Sequence, residues 1–429
     1  MTWRKVCRSL VVLCAAPLLA CGSVSSKTPD AGVAADASAD AAIPEDAPAT
    51  ADAADTCAAN EALSCANDTL VVCNSDGTGE ESIACALGCH ASEIRCNDVD
   101  PSNGLASLLD QTAGKPDINL GGTATIDTNT GEVKADGIVV TVTSSVTGSS
   151  PAVRVLVVGS LVAGDVTVTG SNALAIVSDG DIRISGHFSL SATQDVAGPG
   201  ALNNATCEGK ATVSGSQALS GAGGGGFGTA GGRGGSVTNT SNNSSAAGGN
   251  AGGVTGNATL TPLRGGCDSG IYSGTVRGHG GGAVQLVSRS KITVEGIVSA
   301  NGSSYAGGGS GGGILLEAPL VTVSGNVVAN GGAGAGGGFA PKAGENGRTD
   351  NQPAAGGSGV NATSCGNGGD GAAGAIGSKP GQDKTVDGLV FGGHGGGGAG
   401  RIRVNTAPAG LTSTGIVSPN ASLGTLGTR

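Results

Sequence analysis

The stretch RGHGGGAVQLVSRSKITVEGIVSANG (residues 277–302) decides the fold. After its glycines, AVQLV is a short apolar run, SRS is a turn, and ITVEGIVSAN alternates apolar and polar residues around a central Gly296. Alternation with a period of two places every second side chain on one face, as in a half-buried strand. The stretch therefore predicts strand, turn, strand, glycine corner, strand.

The same pattern recurs. VLVVGSLVAG (155–164), IRISGHFSLS (182–191), ITVEGIVSAN (292–301), VTVSGNVVAN (321–330) and LTSTGIVSPN (411–420) align without gaps. The template is apolar-x-apolar-x-Gly-x-apolar-x-small, and Ser413, Leu190 and Pro419 depart from it. The aligned glycines are Gly159, Gly186, Gly296, Gly325 and Gly415, where a side chain would clash or φ must be positive. Short apolar strands, ALAIV, AVQLV, GILLE and RIRVN, precede the last four copies. Units that cannot bury an apolar face alone must stack, which predicts an all-β, parallel β-helix or solenoid-like domain over residues 98–429.

Long insertions separate the second from the third copy and the fourth from the fifth. They read SGAGGGGFGTAGGRGG and GGAGAGGGFAPKAGENG in part. Either they are disordered loops or they run as extended, polyproline-II-like strands side by side, which glycine alone permits. Cys207, Cys267 and Cys365 lie in or beside them, and a Cys207–Cys267 disulfide with one thiol left over is expected.

The chain has 429 residues, 83 of them Gly, with aromatic residues only 2 % and a net charge of −11. No basic stripe offsets that charge, so nucleic acid is not an expected partner. Segments of period 3.6 are scarce, which excludes helix-rich α/β folds such as the (βα)₈ barrel. One short helix is predicted over 103–111 from DPSNGLASLLDQT, with Ser102 or Asn103 as N-cap and Leu105, Leu108 and Leu109 on one face, placed to cover the open end of the stack.

The N-terminus opens with Arg4, Lys5 and Arg8, followed by an apolar run over 9–20, and reads as a secretion signal over 1–20. Leu18-Leu19-Ala20-Cys21 resembles a bacterial lipobox, which implies lipidation of Cys21 and anchoring to a membrane by acyl chains. Residues 21–56, nearly all Ala, Asp, Pro, Ser and Thr, read as a disordered, self-repelling spacer. Over 57–97, Cys57, Cys65, Cys73, Cys85, Cys89 and Cys96 form an even set in a core-poor, exported segment. That composition predicts three disulfides with fifteen possible connectivities, in preference to a zinc site using Cys85, Cys89 and His90. NSDGTG (74–79) reads as a turn between two of its strands.

The lipobox, the Ala/Asp spacer and the LVVC…CALGC…RC pattern, followed by a glycine-rich β region, resemble surface lipoproteins abundant in myxobacteria. The resemblance implies a cell-surface or outer-membrane location and carries no established activity.

The catalytic motifs are weak. His279-Gly280-Gly281-Gly282 resembles the HGGG oxyanion segment of lipases, and Gly308-Gly309-Ser310-Gly311-Gly312 formally matches G-x-S-x-G. An elbow works only between a strand and a helix, and no helix is predicted there. The histidines at 187, 279 and 394 have no acid close by in the sequence to orient them. GHGGG occurs twice, at 278–282 and 393–397, each time just ahead of an apolar strand, which suits a structural lead-in. Asp179 and Asp181 beside Arg183, with Glu295 and Glu317, are the acids a polysaccharide-cleaving β-helix enzyme would use. Their spacing favours solvated turns, so no catalytic residue, metal or cofactor is expected. The expected role is structural or adhesive, toward extracellular polysaccharide, matrix or a neighbouring surface protein. The alternatives are a polysaccharide lyase or hydrolase, and a cysteine module that binds while the β domain spaces.

Overall fold

Alternation does build sheets, and they are mostly parallel. The computed structural model describes residues 57–429 except Ala91, Ser273 and Pro341, so the signal segment, Cys21 and the acidic spacer lie outside the described residues. The described chain is nearly all β. Among the described residues no helix is long and apolar enough to cross a membrane.

Three columns of parallel strands carry the core. The first stacks Val153–Val158, Ala173–Ser178, Ala283–Ser288, Gly313–Glu317, Arg401–Thr406 and Ser422–Thr425 in that order. The second runs from the start of Leu161–Thr169 through Ile182–Ile184, Lys291–Val294 and Leu320–Val323 to Leu411–Ser413. The third runs from the end of that long strand through His187–Ser189, Ile297–Ser299 and Asn326–Val328 to Ile416–Ser418. Ile118–Asp127 pairs along the whole of Leu161–Thr169 and begins the second and third columns.

One apolar interior joins the columns. Leu156, Leu174, Leu286 and Leu316 from the first meet Ile182, Ile292 and Val321 from the second and Phe188, Val298 and Val327 from the third, all buried. The first column is buried on its other face as well. Val155, Val157, Ala175, Val177, Val287 and Leu315 form a second apolar layer with Leu105, Leu109, Phe227, Leu260 and Leu263. Burial on both faces explains why ALAIV is a continuous apolar run while the second-column strands alternate.

The predicted helix is shorter and sits elsewhere. A 3₁₀ turn spans Ser102–Gly104 and an α-helical turn Ala106–Leu109, with no side-chain cap on either. Ser102 instead donates its hydroxyl to Glu317 at 2.7 Å, and the Asn103 side-chain amide donates to Leu260 O and Gln285 Oε1. Leu105 and Leu109 cover the outer face of the first column, not the open end of the stack. The face had apolar side chains left to bury, which is the stronger demand.

The glycine corner is a matter of space. A Cβ on Gly325 would lie 1.9 Å from the carbonyl oxygen of Gly296, and neither corner has positive φ. The first sequence copy proves shifted by one strand. Val155 belongs to the first column, and Ile182 and Ile184 pair with Leu161 and Ala163. The residue beneath Gly186 is therefore Gly164, while Gly159 lies beneath Gly180. Apolar alternation is the same in every column, so it cannot report which column a strand occupies.

The insertions carry a few short strands, Ser214–Gly215, Ala218–Leu219 and Val390–Phe391 in one small sheet and Val237–Asn239, Ser244–Ala246 and Lys384–Val386 in another, but their glycine tracts are ordered without being helix or sheet. In the tract over 391–400, Gly392, Gly395 and Gly398 donate to Leu219, Ala222 and Gly225, whereas Gly393 and Gly396 donate to Gln382 and Lys379. His394, Gly397 and Gly400 donate to Ala335, Gly332 and Ala329. The same tract accepts from Gly366, Gly369 and Ala372, from Gly232 and Gly235, and from Gly308 and Gly311. Each direction recurs every third residue, the repeat of a polyproline-II chain. Such a thread has no internal hydrogen bonds, so its amides must be satisfied sideways. The threads then lie backbone against backbone: a Cβ on Gly221 would fall 1.8 Å from the Gly393 oxygen. Cys207 and Cys267, on two segments bordering this lattice, are disulfide-bonded, and Cys365 is a buried free thiol.

Residues 57–97 form a separate small sheet of Ala62–Ala66, Thr69–Cys73 and Glu80–Ala84, all antiparallel. The last of these strands is wholly exposed, and the disulfides Cys57–Cys73, Cys65–Cys89 and Cys85–Cys96 supply the cohesion an apolar core would otherwise give. The Asn74 side-chain oxygen accepts the Thr78 and Gly79 amides and so closes the turn.

Candidate functional site

Of the chain's two Tyr and four Phe, Tyr272, Tyr305 and Phe339 line one cleft of about 660 Å³, together with His394 and small or aliphatic residues. Phe339 is 80 % exposed and Tyr305 41 %. Phe339 rests edge-on against Phe391, with ring centroids 4.8 Å apart. Tyr272 is held by donating its hydroxyl to the Gly338 carbonyl at 2.9 Å. Its phenol is pushed above its ordinary pKa by burial and by the nearby Cys365. No carboxylate, lysine or arginine lines the cleft.

His394 lies at its floor, on the central thread, and is buried. The Ala222 amide donates to its Nδ1 at 2.9 Å, which leaves the ring proton on Nε2, and Nε2 is buried with no partner among the described residues. Tyr272 stands perpendicular to the imidazole, with centroids 4.9 Å apart. Burial lowers the His394 pKa to about 4, so the ring is neutral at pH 7. Only its place in the lattice distinguishes this histidine, since the GHGGG motif that contains it recurs around His279.

The acids considered for catalysis are dispersed among structural bonds. Asp179 accepts from Arg289 at 2.8 Å, and Asp181 from the Ser290 hydroxyl at 2.6 Å. Arg183 pairs with Glu295 across neighbouring strands. Glu317 is buried and accepts from Ser102, from Gln285 at 2.6 Å and from Asn405 at 2.9 Å. His187 shares a 2.8 Å hydrogen bond with Ser299, and burial lowers its pKa despite the charge of Asp165. The Ser310 hydroxyl accepts the Cys267 amide at 2.8 Å inside the lattice, where no helix follows it.

One histidine does have an acid beside it. His279 Nδ1 lies 3.3 Å from Asp268, a pairing hidden in the sequence because the two residues come together only across adjacent threads. Asp268 also accepts from Asn203 and from the Gly280 amide, each at 2.9 Å, while Arg277 pairs with Glu208 at 2.7 Å. Burial works against the Asp268 charge, but His279, Asn203 and the Gly280 amide hold its pKa below the ordinary carboxylate value. Among the described residues no hydroxyl or thiol hydrogen-bonds to His279 Nδ1.

Cys65, Cys85 and Cys89 bring their sulfurs within 4.8 Å of one another. Cys65 is bonded to Cys89 and Cys85 to Cys96, so none offers a thiolate to a metal. No protein-family model, no curated protein and no solved structure matches this chain.

Proposed function

We propose that this is a lipid-anchored surface protein that binds and does not cleave, with structural or adhesive work at the cell exterior. In this reading Cys21 carries the lipid, residues 21–56 are the spacer, and the three strand columns are the coils of a β-helix stiffened on one side by the glycine lattice. The observation that carries it is the division of labour among side chains. Carboxylates such as Asp179, Glu295 and Glu317 are tied into ion pairs and hydrogen bonds, whereas Tyr305 and Phe339 stand free on a cleft. Exposed rings held on a rigid frame favour association at small entropic cost. Extracellular polysaccharide, matrix or a neighbouring surface protein is the partner class.

The test is to incubate the purified full-length protein with a panel of surface polymers and analyse both bound and released material by mass. Retained, intact polymer supports the reading, and shortened or unsaturated products refute it in favour of a lyase or hydrolase. Cys21→Ser should in parallel abolish labelling by radioactive palmitate and release the protein from membranes.

A further inference from the structure

The lining of the cleft is selective in a direction the rest of the molecule is not. On a chain of net charge −11, the cleft presents no charged side chain. It offers instead two partly exposed rings, a tyrosine fixed by its hydroxyl, the exposed Ser214 hydroxyl, and a buried imidazole beneath them. An occupant suited to these surfaces has apolar C–H faces to lie on rings, oxygens to accept a hydrogen bond, and no charge to strand in a site without counter-ions. A pyranose ring has all three properties. The volume of about 660 Å³ lies within the range of about 300–1,000 Å³ typical of small-ligand sites.

We infer that the cleft is the binding site for an uncharged saccharide chain, stacked on Tyr305 and Phe339, with the exposed Ser214 hydroxyl hydrogen-bonding one of its oxygens above the buried His394. This rests on the binding function proposed above and names its ligand class and place. Tyr305 and Phe339 are contact residues. Tyr272 is a positioning residue, because its ring stands against the imidazole while its hydroxyl is engaged by Gly338. Neutrality of His394 suits the site, since an imidazolium would place an uncompensated charge beneath a neutral ligand.

The experiment titrates the full chain with cellohexaose, laminarihexaose, mannohexaose and, as the anionic counterpart, hexagalacturonate, by calorimetry. Tyr305→Ala and Phe339→Ala are run beside it with melting curves, because both rings are exposed and their loss should leave the fold intact. Long-range ¹H–¹⁵N spectra follow the His394 ring. The expected result is binding of at least one uncharged hexasaccharide and none of hexagalacturonate. Each alanine variant should weaken it about tenfold, the value of one aromatic contact of about 1.4 kcal/mol. The His394 ring resonances should shift on saturation. Binding that survives both substitutions overturns the site but leaves the binding function standing. Binding of hexagalacturonate alone overturns the ligand class. If no saccharide binds the folded protein, the cleft assignment and a glycan-binding function fail together.

Discussion

Gly325 sits directly over Gly296, so near that a Cβ on the upper residue would lie 1.9 Å from the carbonyl oxygen of the lower. Gly325→Ala must therefore push one strand segment off the next. The expected loss is about 1–3 kcal/mol, the usual cost of overpacking. Gly377→Ala, where nothing lies within 4 Å, should change stability by less than about 0.5 kcal/mol. Urea unfolding of the two variants distinguishes them, and equal midpoints would remove close approach as the reason for the corner glycine.

The lattice predicts slow hydrogen exchange in segments with no regular secondary structure. Gly224, Gly225 and Gly226 donate to Gly232, Gly308 and Cys207, three different segments, so freeing one thread means parting several. Peptides covering 220–235 and 391–400 should exchange as slowly as the strand Ala173–Ser178. Complete exchange within seconds, with the strands still protected, would sink the idea, as would proteolysis confined to those tracts.

His394 gives the molecule a pH dependence of definite sign. Its folded pKa of about 4 is below the unfolded value, so the unfolded chain takes up the proton first as pH falls. Stability should be unaffected above about pH 6.5 and decline from there toward pH 4, by a total on the order of 3 kcal/mol. His394→Gln should flatten that slope. An unchanged slope in the variant would assign it to other groups, with His187, also lowered by burial, the next candidate.

A cluster of charges fastens the segment that follows the cysteine module to the last residue, Arg429. Arg289 bonds Asp98 and Asp179, and Arg429 bonds Asp98. Burial opposes ionisation of Asp98, but the two arginines and the Val99 amide hold its pKa below the ordinary carboxylate value. That stabilisation is present above the unfolded carboxylate pKa and disappears as pH falls through the lowered folded value. Arg289→Ala should destabilise by about 1–2 kcal/mol at neutral pH and move acid unfolding to higher pH. Acid titration followed by circular dichroism reads both effects, and an acid limb that does not move would refute the assignment.

The stacked strands were legible because alternation is local: Ile292, Val294 and Val298 announce their own faces. Their assignment to columns was not, and the first copy was aligned one strand out because Val155–Val157 and Leu161–Ala163 carry the same apolar-x-apolar signal. The cleft was invisible for a related reason. Tyr272, Tyr305, Phe339 and His394 are far apart in sequence and meet only in the fold. The His279–Asp268 pair escaped likewise. Side-chain periodicity describes what a segment buries, and a lattice made by backbone amides leaves little trace in it.

That lattice also restricts how such a chain can evolve. Gly393 and Gly396 address one neighbour, Gly392, Gly395 and Gly398 a second, and His394, Gly397 and Gly400 a third. Deleting a single residue would turn every later amide toward the wrong neighbour, whereas losing a whole triplet returns each to its former bearing. Length variation among related chains should therefore come in steps of three within the threads and be unrestricted at their ends.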